Sequence, residues 1–375
     1  MTESKPKVLL LANTFWNLYN FRTGIIKSLL NSGYEVIAVA PKDKYLHFLQ
    51  AKGCQTRTVS INSKGINPIK DCWTFIQFLC LLIYERPKVC LFYTAKPNIY
   101  GSWAAYILGC AYINNISGLG SAFIQGGWLE KLLIFFYKRA LLKSSRVFFQ
   151  NNDDLDLFLS ASIINSEQSG VLPGSGVDLS RFKPQSESGN SNVNFSFILI
   201  ARMLRDKGVN EYIQAASIVH KAFNGVQFKL LGPLGVDNPS AITPSEMNKW
   251  QLGGYIEYLG SSEDVRSYIS GSTCVVLPSY REGAPKTLLE AAAMGKPIIT
   301  TNVPGCRDVV QDGVTGLLCE AKSSEDLARK MIQMIQLSDI ERQKMGKLGR
   351  HLMEQRFDEA LVISKYLEEI KRIVK

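Results

Sequence analysis

Two glutamates eight positions apart, Glu282 and Glu290, lie where a predicted loop meets a predicted helix. A glycine and a proline mark the loop as a turn, and residues 287–294 are rich in Ala, Leu and Glu, which is typical of a helix. The backbone N–H groups of residues 283–288 should then point out of a helix N-terminus, where an anion such as phosphate is favoured. A carboxylate beside that anion is suited to hydroxyls or to developing positive charge, and Glu290 could accept hydrogen bonds from both hydroxyls of a ribose.

A second interpretation is a helix that carries two solvated glutamates, since acids are common in a first helical turn for dipole reasons alone. The surrounding residues favour a site. A compact apolar run at 274–278 predicts a buried strand before the loop, and Gly295 and Pro297 end the helix before another strand begins. The segment therefore predicts a strand–loop–helix unit that binds a phosphorylated sugar.

The same segment resembles a known enzyme family. The residues E-G-A-P-K-T-L-L-E at 282–290 resemble the E-x7-E motif of retaining family 4 glycosyltransferases, which have the GT-B fold. Residues 201–208 resemble that family's R-x4-K-G phosphate clamp, and residues 312–318 resemble its closing D-G-x-x-G-x-L turn. The resemblance therefore implies a sugar transferase, and it extends over nearly the whole chain.

The resemblance implies specific roles on the donor side. Glu282 should act on the transferred sugar, while Arg202 and Lys207 should hold the diphosphate and stabilise it as it leaves. Taken alone, such an Arg and Lys beside a loop would be read as a solvated pair. The loop at Ser261 and Ser262 should hold the base through backbone groups. The donor-binding residues expected on this basis are Arg202, Lys207, Ser261, Ser262, Gly283, Ala284, Pro285, Lys286, Thr287, Leu288 and Glu290.

Three shorter segments, 16–22, 96–101 and 114–120, resemble a bacterial subgroup of the alpha-1,3-N-acetylgalactosaminyltransferase type, whose members add an N-acetylhexosamine to a sugar on undecaprenyl diphosphate. The expected donor is a UDP-N-acetylhexosamine, and the expected acceptor is a sugar linked to polyprenyl diphosphate. The acceptor-binding residues implied are Asn17, Tyr19, Asn20, Arg22, Lys96, Asn98, Ser117 and Gly118.

The chain departs from the family pattern at two places. W-N-L-Y-N replaces the glycine pair that usually follows the first strand, and Ser117-Gly118 stands where many relatives have a histidine. A serine cannot do the acid–base work of a histidine near pH 7. This fits a mechanism in which the departing phosphate takes the acceptor proton, and it also fits a modified acceptor pocket.

Short apolar runs separated by helical stretches predict two Rossmann-like, doubly wound parallel sheets. The predicted strands are residues 8–11, 36–40, 89–93, 111–115 and 147–150 in the first half, and 195–200, 228–231, 256–259, 275–278 and 298–300 in the second. A length of 375 residues suits two domains. The fold class expected is therefore α/β of the GT-B type, which implies two such domains facing across a ligand-binding cleft.

The predicted first domain spans residues 1–175 and carries the acceptor and membrane functions. The second, residues 176–356, binds the nucleotide sugar. A helix at 357–375 should pack back on the first domain, as the resemblance implies. The Gly/Ser/Asn-rich segment 185–194 is predicted to be the loop after the crossover between domains.

Charge is concentrated in the first part of the chain. Residues 1–172 contain 18 Lys/Arg and 10 Asp/Glu, a net charge of +8 out of a total of +10. No nucleic-acid motif accompanies this surface, so an anionic membrane is the preferred partner. Scattered cysteines and a polar N-terminus without a signal peptide favour the cytoplasm. Residues 72–84 are too few to span a membrane and are predicted to form a core helix. The expected location is peripheral, on the inner face of the plasma membrane.

Residues 128–146 sharpen the membrane hypothesis. Read as one helix, they place large apolar residues among cations on the same side, as in a helix that lies in a lipid headgroup layer. The alternative is a core helix whose lysines reach the rim. The membrane-contacting residues expected are Lys131, Leu132, Phe135, Lys138, Arg139 and Leu142, with Lys143 and Arg146 on the same side.

No metal or other cofactor is expected. Asp154 and Asp156 form a D-x-D sequence, but they lie at a predicted helix N-terminus, where the dipole favours acids. Two other functions remain open: a UDP-sugar 2-epimerase or hydrolase with the same fold, and a non-catalytic sugar-nucleotide-binding protein. The pairing of R-x4-K with E-x7-E argues against the first, and the intact charged residues argue against the second.

Overall fold

The protein is described by a computed structural model that covers residues 5–62, 67–118, 127–185 and 195–375. The chain forms two compact units, one comprising Met1–Ser175 and Glu359–Lys375, and the other Gly176–Asp358. Each unit is built on a parallel sheet with helices on its faces, so the predicted doubly wound α/β class is confirmed. Most of the predicted crossover loop, residues 186–194, lies outside the described residues.

The first unit has a seven-stranded sheet in the order β3-β2-β1-β4-β5-β6-β7. The strands are β1 (Lys7–Leu11), β2 (Glu35–Ala40), β3 (Gln55–Thr58), β4 (Val89–Tyr93), β5 (Ala111–Ile116), β6 (Arg146–Phe149) and β7 (Ser169–Val171). The helices are α1 (Phe15–Asn31), α2 (Leu46–Gln50), α3 (Pro68–Glu85), α4 (Ser102–Ile107), α5 (Trp128–Leu141), α6 (Asn152–Ser160) and α13 (Glu359–Val374), with a π-helical turn at Pro97–Gly101 before α4.

The second unit has a six-stranded sheet in the order β10-β9-β8-β11-β12-β13. The strands are β8 (Ser196–Ile200), β9 (Gln227–Leu231), β10 (Ile256–Tyr258), β11 (Cys274–Leu277), β12 (Ile298–Thr301) and β13 (Gly316–Cys319). The helices are α7 (Val209–Ala222), α8 (Pro244–Gln251), α9 (Arg266–Ser270), α10 (Lys286–Ala293), α11 (Ser324–Gln336) and α12 (Asp339–Arg356), and a short 3₁₀ helix at Arg205–Lys207 precedes α7.

The central strands are buried on both faces, as parallel strands between two helical layers must be. All five residues of β4 and all five of β8 are buried. This explains why these strands read as continuous apolar runs in the sequence. In both sheets, switches in strand order bring loops to the carboxyl edge beside β1 and β8, where ligands bind in folds of this kind.

Helix α13 completes the first unit from the far end of the chain. Its residues Val362, Tyr366 and Ile370 belong to the same apolar core as α1 and β1. The Tyr366 hydroxyl accepts a hydrogen bond of 2.8 Å from the side-chain amide of Asn115 in β5. A buried aromatic anchor with a satisfied hydroxyl therefore ties the C-terminal helix to this sheet.

The predicted helix at 128–146 is too long. Helix α5 ends at Leu141, and Arg146 begins β6, where its Nη2 lies 2.6 Å from a carboxylate oxygen of Glu369. The Ser144 hydroxyl donates to the backbone oxygen of Arg146 at 2.8 Å, which holds the turn between helix and strand. Arg146 is therefore not a member of the predicted membrane-facing side, whereas Lys143, just after the helix, is exposed.

The prediction of a core helix at residues 72–84 is also wrong in part. Only one face of α3 is buried, and its other face is apolar yet exposed. Across the described ranges, no helix is both long enough and apolar enough to cross a membrane. All eight cysteines lie in described segments and are free thiols.

Candidate donor site

The predicted strand–loop–helix unit is present in the second unit. Strand β11 leads into a loop at residues 278–285, and α10 follows. Pro285 is the N-cap residue and provides no side-chain hydrogen bond to the helix. Two of the residues predicted to turn an N–H group outwards do not do so: Pro285 has no N–H, and the N–H of Leu288 donates to the backbone oxygen of Pro285 at 3.0 Å. An anion at this end of the helix would therefore face residues before Leu288.

Two glycines allow neighbouring loops to pack tightly on this loop. Gly208 has φ +73°, and a Cβ there would lie 2.1 Å from the Pro278 oxygen. Gly305 has φ +80°, and a Cβ there would lie 2.3 Å from the backbone oxygen of Glu282. Only glycine fits such positions without displacing backbone. Gly305 is not among the predicted site residues, although its V-P-G context is typical of a turn.

Lys207 and Glu282 form an ion pair. The Lys207 Nζ lies 2.5 Å from Glu282 Oε1, and the Ser279 hydroxyl donates to the same oxygen at 2.8 Å. The side chains of Lys207 and Glu282 are 17% and 15% exposed, so they can be reached by a ligand but are shielded from bulk water. The structure thus joins the predicted phosphate-binding cation to the predicted sugar-binding carboxylate. Ser279 was not predicted, and it orients this carboxylate.

The two arginines of the R-x4-K segment have different environments. Arg202 is exposed, and its guanidinium has no ion-pair partner within the described ranges. Arg205 donates to the Ala241 oxygen at 2.6 Å and lies 2.5 Å from Glu246, so it holds the 3₁₀ turn to α8. Of these two arginines, Arg202 is therefore the one that can contact an incoming anion.

Glu290 is buried one turn into α10, where it is 7% exposed. Its Oε1 lies 3.7 Å from the Nζ of Lys286. Burial raises the pKa of Glu290, and the nearby charges of Lys286 and Arg181 only partly oppose this effect. A buried carboxylate at this place in the helix is suited to accept hydrogen bonds from a ligand, such as those from ribose hydroxyls.

Replacing Glu290 by glutamine should raise KM for the donor while stabilising the ligand-free protein at neutral pH. Above its raised pKa the buried carboxylate is charged and costs stability, and that cost disappears as the pH falls and the group is protonated. We expect Glu290→Gln to raise Tm by roughly 2 °C at pH 7, and the difference to shrink towards pH 4. Calorimetric melting at both pH values tests this. A lower Tm for Glu290→Gln at pH 7 would show that the carboxylate is stabilising.

The predicted base-binding loop follows β10. Ser261 and Ser262 are exposed, and the Ser262 hydroxyl donates to the backbone oxygen of Asp264 at 2.8 Å. The Arg266 guanidinium beside Asp264 lowers the pKa of that carboxyl to about 2. The backbone of this loop is therefore held by its own side chains, in keeping with recognition through backbone groups.

The predicted acceptor residues of α1 lie at its first turns. Thr14 caps the helix by accepting from the N–H of Asn17 at 3.0 Å. The side chain of Asn20 donates to the Trp16 oxygen at 3.0 Å, and the ring of Tyr19 packs 5.5 Å from that of Phe48. All three predicted residues, Asn17, Tyr19 and Asn20, are half-buried. Because α1 begins shortly after β1 ends, these residues of its first turns lie near the carboxyl end of that strand.

Arg22 and Asn98 do not fit a direct acceptor contact. Arg22 is 3% exposed and stacks 4.1 Å above the ring of Tyr93, while Asn98 is 1% exposed. The side chain of Asn98 donates to the Asn115 oxygen at 2.9 Å and accepts from Asn114 at 2.9 Å. Asn98 therefore fixes the carboxyl end of β5. Both Arg22 and Asn98 are buried beneath the protein surface and are not exposed to an acceptor.

Lys96 forms an ion pair with an acid that is not among the predicted site residues. Its Nζ lies 2.5 Å from Asp71 in α3, and Asp71 is 4% exposed. Ser117 and Gly118 are exposed at the end of β5. The last two residues of the 114–120 motif lie outside the described residues. Ser117 and Gly118 are therefore accessible to an acceptor. Lys96 is accessible only in part, and its charge is already paired with Asp71.

The D-x-D sequence lies in the first turns of α6. Asn151 caps α6 by accepting from the N–H of Asp154 at 2.8 Å, as expected for a helix N-terminus. Within the part of the chain that the structure describes, no group of three or more His, Cys, Asp or Glu side chains is arranged to hold a metal ion.

Comparison with protein families divides the chain in the same way. Residues 182–352 match the family described as glycosyl transferases group 1, and residues 7–151 match the family described as glycosyl transferase 4-like. The first match contains every predicted donor residue, and the second contains every predicted acceptor residue.

Two curated relatives cover most of the chain. The N,N'-diacetylbacillosaminyl-diphospho-undecaprenol alpha-1,3-N-acetylgalactosaminyltransferase of Campylobacter jejuni is 26% identical over 374 residues, with 96% of each chain covered. The UDP-Gal:alpha-D-GlcNAc-diphosphoundecaprenol alpha-1,3-galactosyltransferase of Escherichia coli is 24% identical over 290 residues, with 72% of each chain covered.

Two crystal structures share the fold over almost the whole length. The Anabaena protein Alr3699/HepE in complex with UDP and glucose superposes with a TM-score of 0.81 at 15% identity, covering 98% of this chain and 100% of the other. A glycosyltransferase from Rickettsia africae superposes with a TM-score of 0.79 at 19% identity, covering 99% of each. At these identities the likeness establishes the fold alone.

Proposed function

Since the chain belongs to the group 1 and 4-like glycosyltransferases and has the GT-B fold that its motifs predict, we propose that it transfers an N-acetylhexosamine from a UDP-sugar to a sugar on polyprenyl diphosphate. The transferred sugar is GalNAc or GlcNAc. The observation that carries the proposal is the pairing of Lys207 with Glu282, which lies in the loop before α10, the helix in which Glu290 is buried. The names of the two curated relatives support a lipid diphosphate acceptor. Such a reaction belongs to the assembly of an O-antigen, a capsule or a glycoprotein oligosaccharide.

The ion pair suggests how the donor is received. When the diphosphate binds, its charge takes the place of Glu282 as the partner of Lys207. The Glu282 carboxylate then becomes available to the hydroxyls and the developing positive charge of the transferred sugar. Exposed Arg202 adds a second cation to the diphosphate, and Glu290 holds the ribose. Lys207 and Glu282, which pair with each other without ligand, thus each take a ligand group as partner in the loaded state.

The transfer retains the configuration at the anomeric carbon in this proposal. The bond from that carbon to the leaving phosphate breaks as the acceptor oxygen forms its bond on the same face, and the acceptor proton moves to the departing phosphate oxygen. None of the three histidines lies at the predicted donor or acceptor residues. His47 contacts Gln50, His220 stacks on Tyr255 with ring centroids 5.1 Å apart, and His351 lies near Glu354.

The donor and the stereochemistry can be tested together. Calorimetric titration with UDP-GlcNAc, UDP-GalNAc, UDP-Gal and GDP-mannose should give the tightest binding for one of the two UDP-N-acetylhexosamines. Nuclear magnetic resonance of the product should show an alpha linkage from an alpha-configured donor. Preference for GDP-mannose would overturn the donor assignment, and a beta-linked product would overturn retention.

We propose that Arg202, Lys207 and the N-terminus of α10 supply the positive charge for the leaving diphosphate without a metal ion. Activity should therefore be nearly unchanged after dialysis against EDTA. The measurement is the initial rate before and after dialysis, with Mg²⁺ or Mn²⁺ added back. Complete loss of activity, restored by either metal, would contradict the proposal and assign the role to a metal.

Helix α5 is the proposed contact with an anionic membrane on the cytoplasmic side. Lys131, Lys138 and Arg139 are exposed, and so are Phe135 and, just after the helix, Leu142. Leu132 is half-buried. The Arg139 guanidinium lies 5.6 Å from the centroid of the Phe135 ring. Apolar side chains next to exposed cations match the lipid headgroup region.

Reversing charge at Lys138→Glu with Arg139→Glu should weaken sedimentation with anionic vesicles by more than about tenfold, because each cation contributes about 1 kcal/mol near such a surface. Affinity for UDP should stay unchanged. A matched control is Lys344→Glu with Lys347→Glu on exposed positions of α12 in the other unit. If the α5 variant sediments like the control, helix α5 does not bind the membrane.

A further inference from the structure

Helix α3 turns an apolar face towards solvent. The exposed residues of this apolar face, called the α3 stripe here, are Ile69, Cys72, Trp73, Ile76, Cys80, Ile83 and Tyr84. At about 100° per residue they fall within an arc of roughly 120°. The opposite face buries Phe78 and Leu82 in the core. A water-facing helix normally has polar residues in such an arc, so the α3 stripe predicts a partner.

The helices next to α3 in the first unit also expose large apolar side chains. Helix α3 packs beside α4, and α4 packs beside α5, so the three lie next to one another in the first unit. Tyr106 and Ile107 of α4 are more than half exposed, as are Trp128 and Phe135 of α5. The outer surface of these three helices therefore carries large apolar side chains from one end of the row to the other.

The charge on this surface has one sign. The described cations of the three helices, Lys70, Lys131, Lys138 and Arg139, are all exposed. The acids Asp71 and Glu85 of α3 are 4% and 2% exposed and face inwards. Glu130 is half-buried. Two copies of this surface would bring like charges together, whereas an anionic bilayer is complementary to it.

We propose that the α3 stripe inserts into the boundary between headgroups and acyl chains of an anionic bilayer, alongside α5. The inference rests on the proposed function, in which the acceptor is anchored in a membrane. Trp73 and Tyr84 have amphipathic rings of the kind that settle at this depth. The cations of α5 contact headgroups, and the α3 stripe adds apolar burial that electrostatics alone does not give.

The two helices differ in their response to salt. Attraction between cations and headgroups is screened, while burial of apolar side chains is not. Binding to vesicles that contain phosphatidylglycerol should therefore fall with salt to a plateau, and the α3 stripe should supply that plateau. This separates the new inference from the role already proposed for α5.

The test uses the full chain with Ile76→Glu and Ile83→Glu. Vesicle binding in high salt should fall by at least about tenfold, since two large apolar side chains no longer leave water. The matched control is Leu252→Glu, a change at a side chain that is 87% exposed in the other unit, and it should bind like the wild type. Unchanged binding by the α3 variant would overturn the proposal.

A second measurement needs no destabilising change. Phospholipids brominated on the acyl chain should quench the tryptophan fluorescence of the wild-type protein, and Trp73→Phe should remove part of that quenching. Absence of any difference would contradict insertion. A shift from dimer to monomer in sedimentation velocity for the Ile76→Glu, Ile83→Glu variant would instead assign the stripe to a second copy and overturn the lipid assignment.

Transfer to a short, water-soluble acceptor diphosphate separates the two levels of the argument. If the stripe is a lipid contact, the α3 variant should keep this activity and lose activity only on long-chain acceptors in vesicles. Loss of both activities in a correctly folded α3 variant would contradict a purely membrane role. Absence of transfer by the wild type to either acceptor, with vesicle binding intact, would remove the proposed function and leave the lipid contact standing.

Discussion

Replacing Glu282 by glutamine should lower kcat by about 10²–10³-fold, the range found when a group that stabilises transition-state charge is removed. The proposed reason is that the carboxylate acts on the transferred sugar as positive charge develops there. Affinity for UDP should not fall, and we expect it to rise slightly, because the Glu282 carboxylate pairs with Lys207 at 2.5 Å in the ligand-free protein. An uncharged glutamine side chain should compete with the diphosphate for Lys207 less strongly than the glutamate carboxylate does.

Steady-state kinetics and calorimetric titration with UDP test the two parts separately. The matched control is Glu257→Gln, an exposed glutamate on β10 of the same unit, which should be without effect. Wild-type kcat in the Glu282 variant would contradict a catalytic role. A large loss of UDP affinity with kcat unchanged would show that Glu282 organises the nucleotide site instead.

Lys207→Ala should weaken binding of both UDP and donor by tenfold or more. A charge-assisted hydrogen bond contributes roughly 1.5–3 kcal/mol, and the diphosphate is the proposed partner of this lysine. The loss should also leave Glu282 with the Ser279 hydroxyl as a remaining partner but without its cation. We therefore expect the carboxylate to repel the incoming diphosphate, which increases the effect.

The control for this variant is Lys249→Ala, an exposed lysine of α8. Calorimetric titration with UDP gives the affinity, and a second titration at higher salt shows whether the lost interaction is electrostatic. Equal UDP affinity in the Lys207 variant and the wild type would make Lys207 an ordinary ion-pair partner of Glu282 and would remove it from the phosphate clamp.

The strands that the sequence predicts well are those buried on both faces. Each of the strands β1, β4, β8 and β11 contains at least four consecutive apolar residues, so neither periodicity nor tertiary context is needed to recognise them. Strand β3, with the sequence QTRT, has no apolar residue that would predict it, and none of its residues is fully buried. Strand β7, with the sequence SGV, is only half-buried and three residues long. Pairing with a neighbour makes these segments strands, and that information is not local.

The donor site was predictable because its parts are close in sequence. Glu282, Glu290 and the start of α10 belong to one strand–loop–helix segment, so their arrangement follows from local structure. The contact between Lys207 and Glu282 joins residues 75 positions apart and depends on glycines that let two loops meet. The motif therefore located both groups, but only the tertiary structure shows that they neutralise each other without ligand.

The acceptor residues and the membrane helix were harder for a physical reason. A resemblance between segments does not reveal which face of a helix is covered by the sheet, so it implies a contact for Arg22 although this residue is 3% exposed. The reverse error concerns α3, whose run of apolar residues predicts a core helix although one face of the helix is exposed. Helix α5 was extended to Arg146 because the short turn after Leu141 contains no glycine or proline.

Transfer of label from a UDP-N-acetylhexosamine, with and without a polyprenyl-diphosphate-linked sugar, tests the central claim most directly. The account predicts a labelled lipid-linked product that forms only when the acceptor is present, with stoichiometric release of UDP. Release of free sugar or an epimerised sugar at the same rate without acceptor would indicate a hydrolase or epimerase. Tight binding of the UDP-sugar without turnover under either condition would indicate a sugar-nucleotide-binding protein, and each of these results would contradict the account.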